Sequence, residues 1–332
     1  MNSISRAGIR ICLALVPLLF IACPRNEPSK PPRVGMSQPA ATPTPAPLAT
    51  AFNGERALEH VRKQMEFGPR PPGSPELAKT RDYIINELKT AGAVVSTDEF
   101  TPSTPQGDKK MVNITAEIRG ESSDIIIISS HYDSKYFKDM RFLGANDPGA
   151  SVGTLLELNR VLAGTKPKLT YRLEFFDGEE AFCENWDDCG KPDAPDNTYG
   201  SRRYVSELKR KNETERVKAL ILLDMMGYKD LELGRDTIST KWLQDILWQT
   251  ASELGYKSYF VDRPEGVGGD DHEPFLRAGI PSVDIIQLNG YPYWHRADDT
   301  LDKVSAKSMK IVGDVVSASL PRIEQRVLGK GK

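Results

Sequence analysis

Six stretches of the chain alternate with helical patterns and leave little freedom to the fold. AVVSTDEF (93–100), MVNITAEI (111–118), DIIIISS (124–130), LTYRLEFF (169–176), VKALILLD (217–224) and PSVDIIQL (281–288) read as strands rich in β-branched and aromatic residues. Several are continuous apolar runs rather than alternating ones, the pattern of strands covered on both faces. SVGTLLELNRVLAG, SRRYVSELKRK, TKWLQDILWQTASELG and VSAKSMKIVGDVVSASL between and after them carry helical spacing. So do ALEHVRKQMEFG and PELAKTRDYIINELKTAG upstream, where Leu77, Ile84, Ile85 and Leu88 share a face. Strands alternating with helices predict an α/β protein, a three-layer α/β/α sandwich around a mixed, mostly parallel central sheet. No internal repeat is evident, and residues 53–332 read as one domain.

The N-terminus carries a different signal. Arg6 and Arg10 precede an apolar run from Ile11 to Ala22 that is short for a membrane span, so residues 1–22 are expected to be a cleaved signal peptide. The run ends in FIAC, which puts Cys23 where a bacterial lipoprotein signal places its lipidated cysteine. Residues 23–52, rich in Pro, Ala, Ser and Thr, read as a flexible tether with too little apolar area to offset chain entropy. The expectation is an exported protein, lipid-anchored to a bacterial membrane and facing the periplasm or the cell exterior. In such an oxidising compartment Cys183 and Cys189 can pair, the alternative being two buried thiols. The formal net charge of −2, which becomes −4 once the leader departs, gives no electrostatic reason to expect nucleic acid as a partner.

Each late strand runs straight into chemistry. DIIIISS is followed by His131, Tyr132 and Asp133, LEFF by Asp177, Glu179 and Glu180, ALILL by Asp224, and SVDIIQL by a loop that reaches His295. In open α/β sheets the ligand crevice lies beyond the carboxyl ends of the strands, so these clusters are expected to converge. Of the four histidines, three sit in the acid-rich loops HYD, DDH and WHRADD. Imidazole plus carboxylate from separate strand ends is the donor set of a catalytic zinc site, and Asp147, in the glycine-bearing turn GANDPGAS, adds a further donor. A lone histidine is more often structural and a lone Glu-Glu pair more often solvated; their joint placement shifts the balance. No GxSxG elbow, GxGxxG fingerprint or GxxxxGK loop is present, which argues against a serine nucleophile and a nucleotide cofactor. Trp242 and Trp248 read as core residues, whereas Trp294, beside a candidate ligand, reads as part of a pocket.

HYDSKYF, GANDPGAS, FFDGEEAF, YGSR, LLDMMG, DDHEPFLRAGIP and WHRADDT occur in this order from about Gly54 to the C-terminus. Together they resemble the zinc exopeptidase fold of aminopeptidases and, in their order, the animal glutaminyl-peptide cyclotransferases. The resemblance implies a single Zn2+ held by Asp147, Glu180 and His295, with Glu179 as acid/base and Asp224 and Asp270 in a hydrogen-bonded acid network. It also implies an aromatic wall of Trp186, Tyr291 and Trp294, and peptide or protein N-termini as substrates. The two-metal aminopeptidases of the fold would add His131 and Asp224, with Asp147 bridging, so one ion or two fit this ligand set. Asp133 is expected to orient His131 by a hydrogen bond. Asp298 and Asp299 are expected to cap the following turn, and Asp271 and His272 to position the HEPFLRAG helix.

Two activities follow from the resemblance. A cyclotransferase would close N-terminal glutamine to pyroglutamate with loss of ammonia, whereas an aminopeptidase would use the same glutamate to activate water against the first peptide bond. A non-catalytic ectodomain of the same fold is a third reading, disfavoured because every position matched to a ligand or acid/base holds a competent residue. Gly268 and Gly269 replace larger residues of the animal enzymes, which implies a wider pocket, and Ser130 and Ser151 stand where those enzymes carry cysteines.

Overall fold

The computed structural model describes residues 52–329. The expected signal peptide, the lipidated Cys23 and residues 23–51 of the tether lie outside the described residues. Phe52, the last residue assigned to the tether, is buried against Gly313 and belongs to the core. Asn53 then caps the first helix, its side chain accepting the N–H groups of Glu55 and Arg56.

The central sheet has six strands: β1 (Val94–Phe100), β2 (Met111–Ile118), β3 (Ser122–His131), β4 (Leu169–Phe176), β5 (Val217–Leu223) and β6 (Ser282–Ile285). Their spatial order is β1-β2-β4-β3-β5-β6. β1 and β2 pair antiparallel, as do β2 and β4, while β4-β3, β3-β5 and β5-β6 are parallel. The mixed, mostly parallel sheet read from the sequence is therefore present.

The run Ile125–Ile128 shows why the parallel strands are apolar throughout. Side chains alternate across the sheet, so Ile126 and Ile128 join Ile221 and Leu223 in the core under α1 (Gly54–Phe67), α3 (Ser151–Ala163) and the C-terminal helix (Ala306–Gly329). Ile125 and Ile127 join Leu220 and Leu222 beneath α4 (Tyr199–Arg210) and the short helix Glu273–Arg277 on the opposite face, with Val205, Leu208 and Phe275. Helices on both faces complete the three layers. α2 (Pro75–Thr90) buries Leu77, Ile84 and Leu88, as their spacing predicts, and Ser74 caps it through the Leu77 N–H.

Three features depart from the sequence reading. The C-terminal helix continues through Pro321 to Gly329 because Ile323 extends the buried stripe beyond the proline. A small parallel pair, Leu233–Asp236 with Phe260–Glu265, stands outside the main sheet. Only Ser282–Ile285 of PSVDIIQL is strand; Ile286 and Leu288 peel away to line a cavity.

Candidate active site

The carboxyl ends of the parallel strands deliver the site. His131 is the last residue of β3, and Asp133 just beyond it reaches under the turn after β4. Its Oδ1 accepts the N–H groups of Gly178 and Glu179 at 2.9 and 3.1 Å, and its Oδ2 that of Glu180 at 3.3 Å. Asp133 thus clamps the Gly-Glu-Glu turn. Its link to His131 runs through the backbone, His131 Nδ1 donating to the Asp133 carbonyl at 3.0 Å while the carboxylate stands 3.7 Å away. The expected hydrogen bond between Asp133 and His131 is present, made by the Asp133 carbonyl and not by its carboxylate. The turn requires glycine at 178, where φ is +74° and a Cβ would lie 2.6 Å from Met111 Sδ. Asp177 points away from the cavity and takes the Val112 N–H at 2.8 Å and the Tyr132 hydroxyl at 3.1 Å.

Asp147 comes from an irregular turn, Ala145–Ala150, that leads into α3. Gly144 before it has φ +58°, and a Cβ there would sit 2.0 Å from the Asp147 carbonyl oxygen. Arg70, fully buried, donates to the carbonyls of Leu143 and Gly144 at 2.5 and 2.9 Å. Asp299 accepts the N–H groups of Asn146 and Asp147 at 2.9 and 3.1 Å. Asp299, assigned by sequence to a turn cap, instead fixes the backbone of the candidate ligand. Tyr291 is corrected as well: its ring is buried, its hydroxyl donates to Asp299 at 2.6 Å, and it does not line the cavity.

Five donors converge. His295 Nε2 lies 3.2 Å from Glu180 Oε1 and 3.5 Å from Asp147 Oδ2, and His131 Nε2 lies 3.3 Å from Asp147 Oδ1 and 3.4 Å from Asp224 Oδ1. Four ligands placed tetrahedrally about an ion with bonds of about 2.0–2.1 Å are about 3.3 Å apart, which these separations match. The buried atoms His131 Nε2, Glu180 Oε2 and Asp224 Oδ1 have no hydrogen-bond partner, the condition of donors built for a cation. The residues therefore fit a divalent metal, in two overlapping sets that share Asp147. Phe137 and Phe142 brace the His295 ring edge-on, and Trp294 stacks on it at 4.4 Å.

The two neighbouring glutamates differ in proton affinity. Burial pushes Glu180 upward, but His295, Lys135 and His131 outweigh it and hold the carboxyl below its ordinary range. Burial raises Glu179 well above that range, with Asp270, Glu180 and Asp271 adding to the shift against the pull of His131. Glu179 thus holds a proton more readily than its neighbour Glu180. Asp270 is pushed up to about 7 by burial and by Asp224. Asp271 and Asp284, both fully buried, are raised well above the usual carboxylate range by burial and by Asp270. His272 lies 3.2 Å from Asp236 and 4.0 Å from Asp284 in the same cluster.

These groups open onto a cavity of about 400 Å³ lined by Asp147, Glu179, Glu180, Asp224, Asp270 and His295, with Trp186 and Trp294 at its aromatic side. Cys183 and Cys189 form a disulfide, and Trp186 sits inside the loop it closes. Sequence reading passed over Lys135, Arg70 and Asp284. Lys135, buried within HYDSKYF, donates to the carbonyls of Ala181 and Cys183 at 2.8 and 3.2 Å and approaches Glu180 at 3.9 Å. Asp284 had one legible signal, an acid inside an apolar strand.

A mixed, mostly parallel sheet whose strand ends gather carboxylates and imidazoles around a gap of ion size is the arrangement of the zinc exopeptidase fold. The chain belongs to peptidase family M28, whose model matches residues 113–320. A glutaminyl-peptide cyclotransferase of Drosophila melanogaster is 30% identical over 269 residues, covering 72% of this chain and 73% of the relative. That of Bos taurus is 31% identical over 267 residues, covering 69% and 72%. The crystal structure of an Acidobacteriales bacterium glutaminyl cyclase superposes with a TM-score of 0.78 at 34% identity, covering 87% of this chain and all of the other.

Proposed function

We propose that this protein is a zinc-dependent glutaminyl-peptide cyclotransferase that converts N-terminal glutamine of peptides to pyroglutamate and releases ammonia. The observation that carries cyclisation over hydrolysis is the likeness to glutaminyl cyclotransferases, while Glu179, a buried carboxyl beside the Asp147, Glu180 and His295 donor set, is the acid/base that either reaction needs. That likeness extends over most of both chains. Asp147, Glu180 and His295 would hold the zinc, which supplies Lewis acidity toward the side-chain amide oxygen.

The chain's own residues account for the rest. In the cavity the substrate's α-amine nitrogen forms a bond to the side-chain amide carbon, closing a five-membered ring, and the bond from that carbon to the amide nitrogen breaks. Glu179 takes one proton from the attacking amine and returns it to the departing nitrogen, which leaves as ammonia; a carboxyl with a raised pKa suits both halves of that transfer. Burial keeps the proton affinity of Glu179 high, Asp270, Glu180 and Asp271 add to it, Asp224 in turn raises Asp270, and the Asp133 clamp fixes the Glu179 backbone. Trp186 and Trp294, at the aromatic side of the cavity, would flank the first residue.

Incubation with a Gln-initiated peptide and with a leucine amide reporter tests the reading. Ammonia release with a matching mass loss is expected from the first. Free leucine without ammonia would replace cyclisation with aminopeptidase activity.

One ion is proposed, because attack by the substrate's own amine needs no second cation to activate water; metal analysis of the active protein, with one zinc per chain expected, checks it. Export and lipid anchoring through Cys23 are also proposed, from the leader, the FIAC stretch and a disulfide suited to an oxidising compartment. Incorporation of a clickable fatty acid, lost in Cys23→Ser, tests the anchor.

A further inference from the structure

We propose that the catalytic cavity continues past Gly269 into a cationic subsite that takes acidic side chains a few residues downstream of the substrate's first residue. The proposal rests on the cyclotransferase reading only for the identity of that first residue.

A second cavity, of about 260 Å³, shares Glu273 and Arg277 with the catalytic one, so these two side chains form a common wall. Gly269 lines the catalytic cavity beside this wall. A Cβ built there would stand 3.2 Å from Glu273 Oε2 and 3.6 Å from Trp186 Nε1, so the missing side chain keeps the space between the aromatic wall and Glu273 open. An extended peptide advances about 3.3 Å per residue, so two to four residues beyond the first reach roughly 7–13 Å.

The two cavities carry opposite charge. The first gathers carboxylates suited to an amine and a metal. The second is lined by Arg202, Lys209 and Arg277 against the single carboxylate of Glu273. Arg202 is pinned by neutral acceptors: its guanidinium donates to the Pro195 carbonyl at 2.8 Å and the Asn197 carbonyl at 2.8 and 3.2 Å, and it lies 4.9 Å from the centre of the Tyr199 ring. Those bonds hold the cation in place; Asp271 and Asp196 act on it through space, but it forms no ion pair among the described residues. Lys209, in the last turn of α4, is exposed and has no ion-pair partner among the described residues. Arg277 pairs with Glu273 at 2.8 Å, and both remain in part accessible. A peptide with a free amine at one end and carboxylates a few residues on matches this polarity, which would both orient it and raise its capture rate.

Three peptide amides separate the possibilities: Gln-Ala-Ala-Glu-Glu, Gln-Ala-Ala-Ala-Ala and Gln-Ala-Ala-Lys-Lys. Their affinities are measured calorimetrically on zinc-loaded Glu179→Gln protein, and their turnover on the wild type by ammonia release. The acidic peptide is expected to bind roughly five-fold or more tightly than the basic one at low salt, with the gap closing above about 0.3 M salt. Lys209→Glu combined with Arg277→Glu is expected to invert the order, and Lys209→Gln with Arg277→Gln to flatten it. Equal affinities for the three peptides, or an order unchanged in both double variants, overturn the subsite. If the wild type releases no ammonia while the binding order persists, the cyclotransferase reading fails and the subsite stands. If all three peptides release ammonia and bind equally, the subsite falls and the cyclotransferase reading stands.

Discussion

Tyr291 donates its hydroxyl to Asp299 at 2.6 Å, and the same carboxylate holds the backbone N–H of Asp147 at 3.1 Å. The tyrosine therefore stands behind a candidate metal ligand rather than on the cavity wall. Burial pushes Asp299 up to about 7, and the Tyr291 hydroxyl pulls against that shift, so losing the hydroxyl favours the protonated acid and weakens its grip on the turn. Tyr291→Phe is expected to lower zinc affinity by about ten-fold while KM for a Gln peptide changes by less than about two-fold. Chelator competition and steady-state kinetics read the two quantities separately. A several-fold rise in KM at unchanged zinc affinity would return Tyr291 to the cavity wall.

Glu179 and Glu180 predict opposite phenotypes from adjacent positions. Glu179→Gln removes the proton carrier and no ligand, so kcat is expected to fall by about 10²- to 10⁴-fold with metal content intact. Glu180→Ala removes a donor 3.2 Å from His295 and is expected to lose the metal, and with it the thermal stabilisation that bound zinc gives. Metal analysis and thermal melts with and without chelator check both. A Glu179→Gln protein that turns over at the wild-type rate ends the acid/base role.

How far the sequence carried can be seen at single residues. Ile125–Ile128 announced a strand covered on both faces because alternation forces both sets of side chains into apolar cores. The convergence of His131, Glu180, Asp224 and His295 was legible because each ends or follows a strand whose carboxyl end faces the crevice, whereas Asp147 was signalled by its glycine-bearing turn and the family resemblance. Long-range side-chain partners were not legible. Asp133 stands two residues from His131, yet its carboxylate is spent on a turn about 45 residues away, and nothing in local spacing encodes that choice. Tyr291 lay near enough to Trp294 to suggest a shared wall, but the loop turns it inward to Asp299. The pair Leu233–Asp236 and Phe260–Glu265 was too short, and too mixed in composition, to rise above loop.

Glu174 supplies a pH prediction away from the metal site. It is fully buried in β4 and accepts the Thr115 hydroxyl at 2.7 Å. Burial pushes it from its ordinary 4.5 to about 8, with Thr115, Tyr204 and Arg172 pulling back. The folded pKa lies above the unfolded one, so the folded state binds the extra proton. The contribution is complete below about pH 4.5, declines as pH rises, and is gone above the folded value of about 8. Over that window it amounts to roughly a few kcal/mol. Glu174→Gln keeps an acceptor for Thr115 and cannot ionise, so its melting temperature is expected to fall less than that of the wild type between about pH 5 and pH 8. Parallel pH dependences in the two proteins would show that Glu174 titrates normally.

The disulfide between Cys183 and Cys189 closes a short loop with Trp186 inside it, and that loop is tied down on both sides. Lys135 donates to the Cys183 carbonyl, Asp196 takes the Cys183 N–H at 2.9 Å, and the Asn197 amide reaches the Trp186 carbonyl at 3.4 Å. Lys135 also approaches Glu180, so the aromatic wall and the metal ligand share one anchor. Opening the disulfide frees the Trp186 end of this arrangement but leaves the Lys135 and Asp133 contacts to the Gly-Glu-Glu turn. The double variant Cys183→Ser, Cys189→Ser is therefore expected to raise KM for a Gln peptide roughly five-fold, with kcat within about two-fold and zinc content unchanged, because ordering Trp186 becomes part of substrate binding. Reduction of the wild type should reproduce the shift and reoxidation reverse it. If kcat falls instead while KM holds, the loop acts on the chemical step, and Trp186 is not the group the disulfide positions.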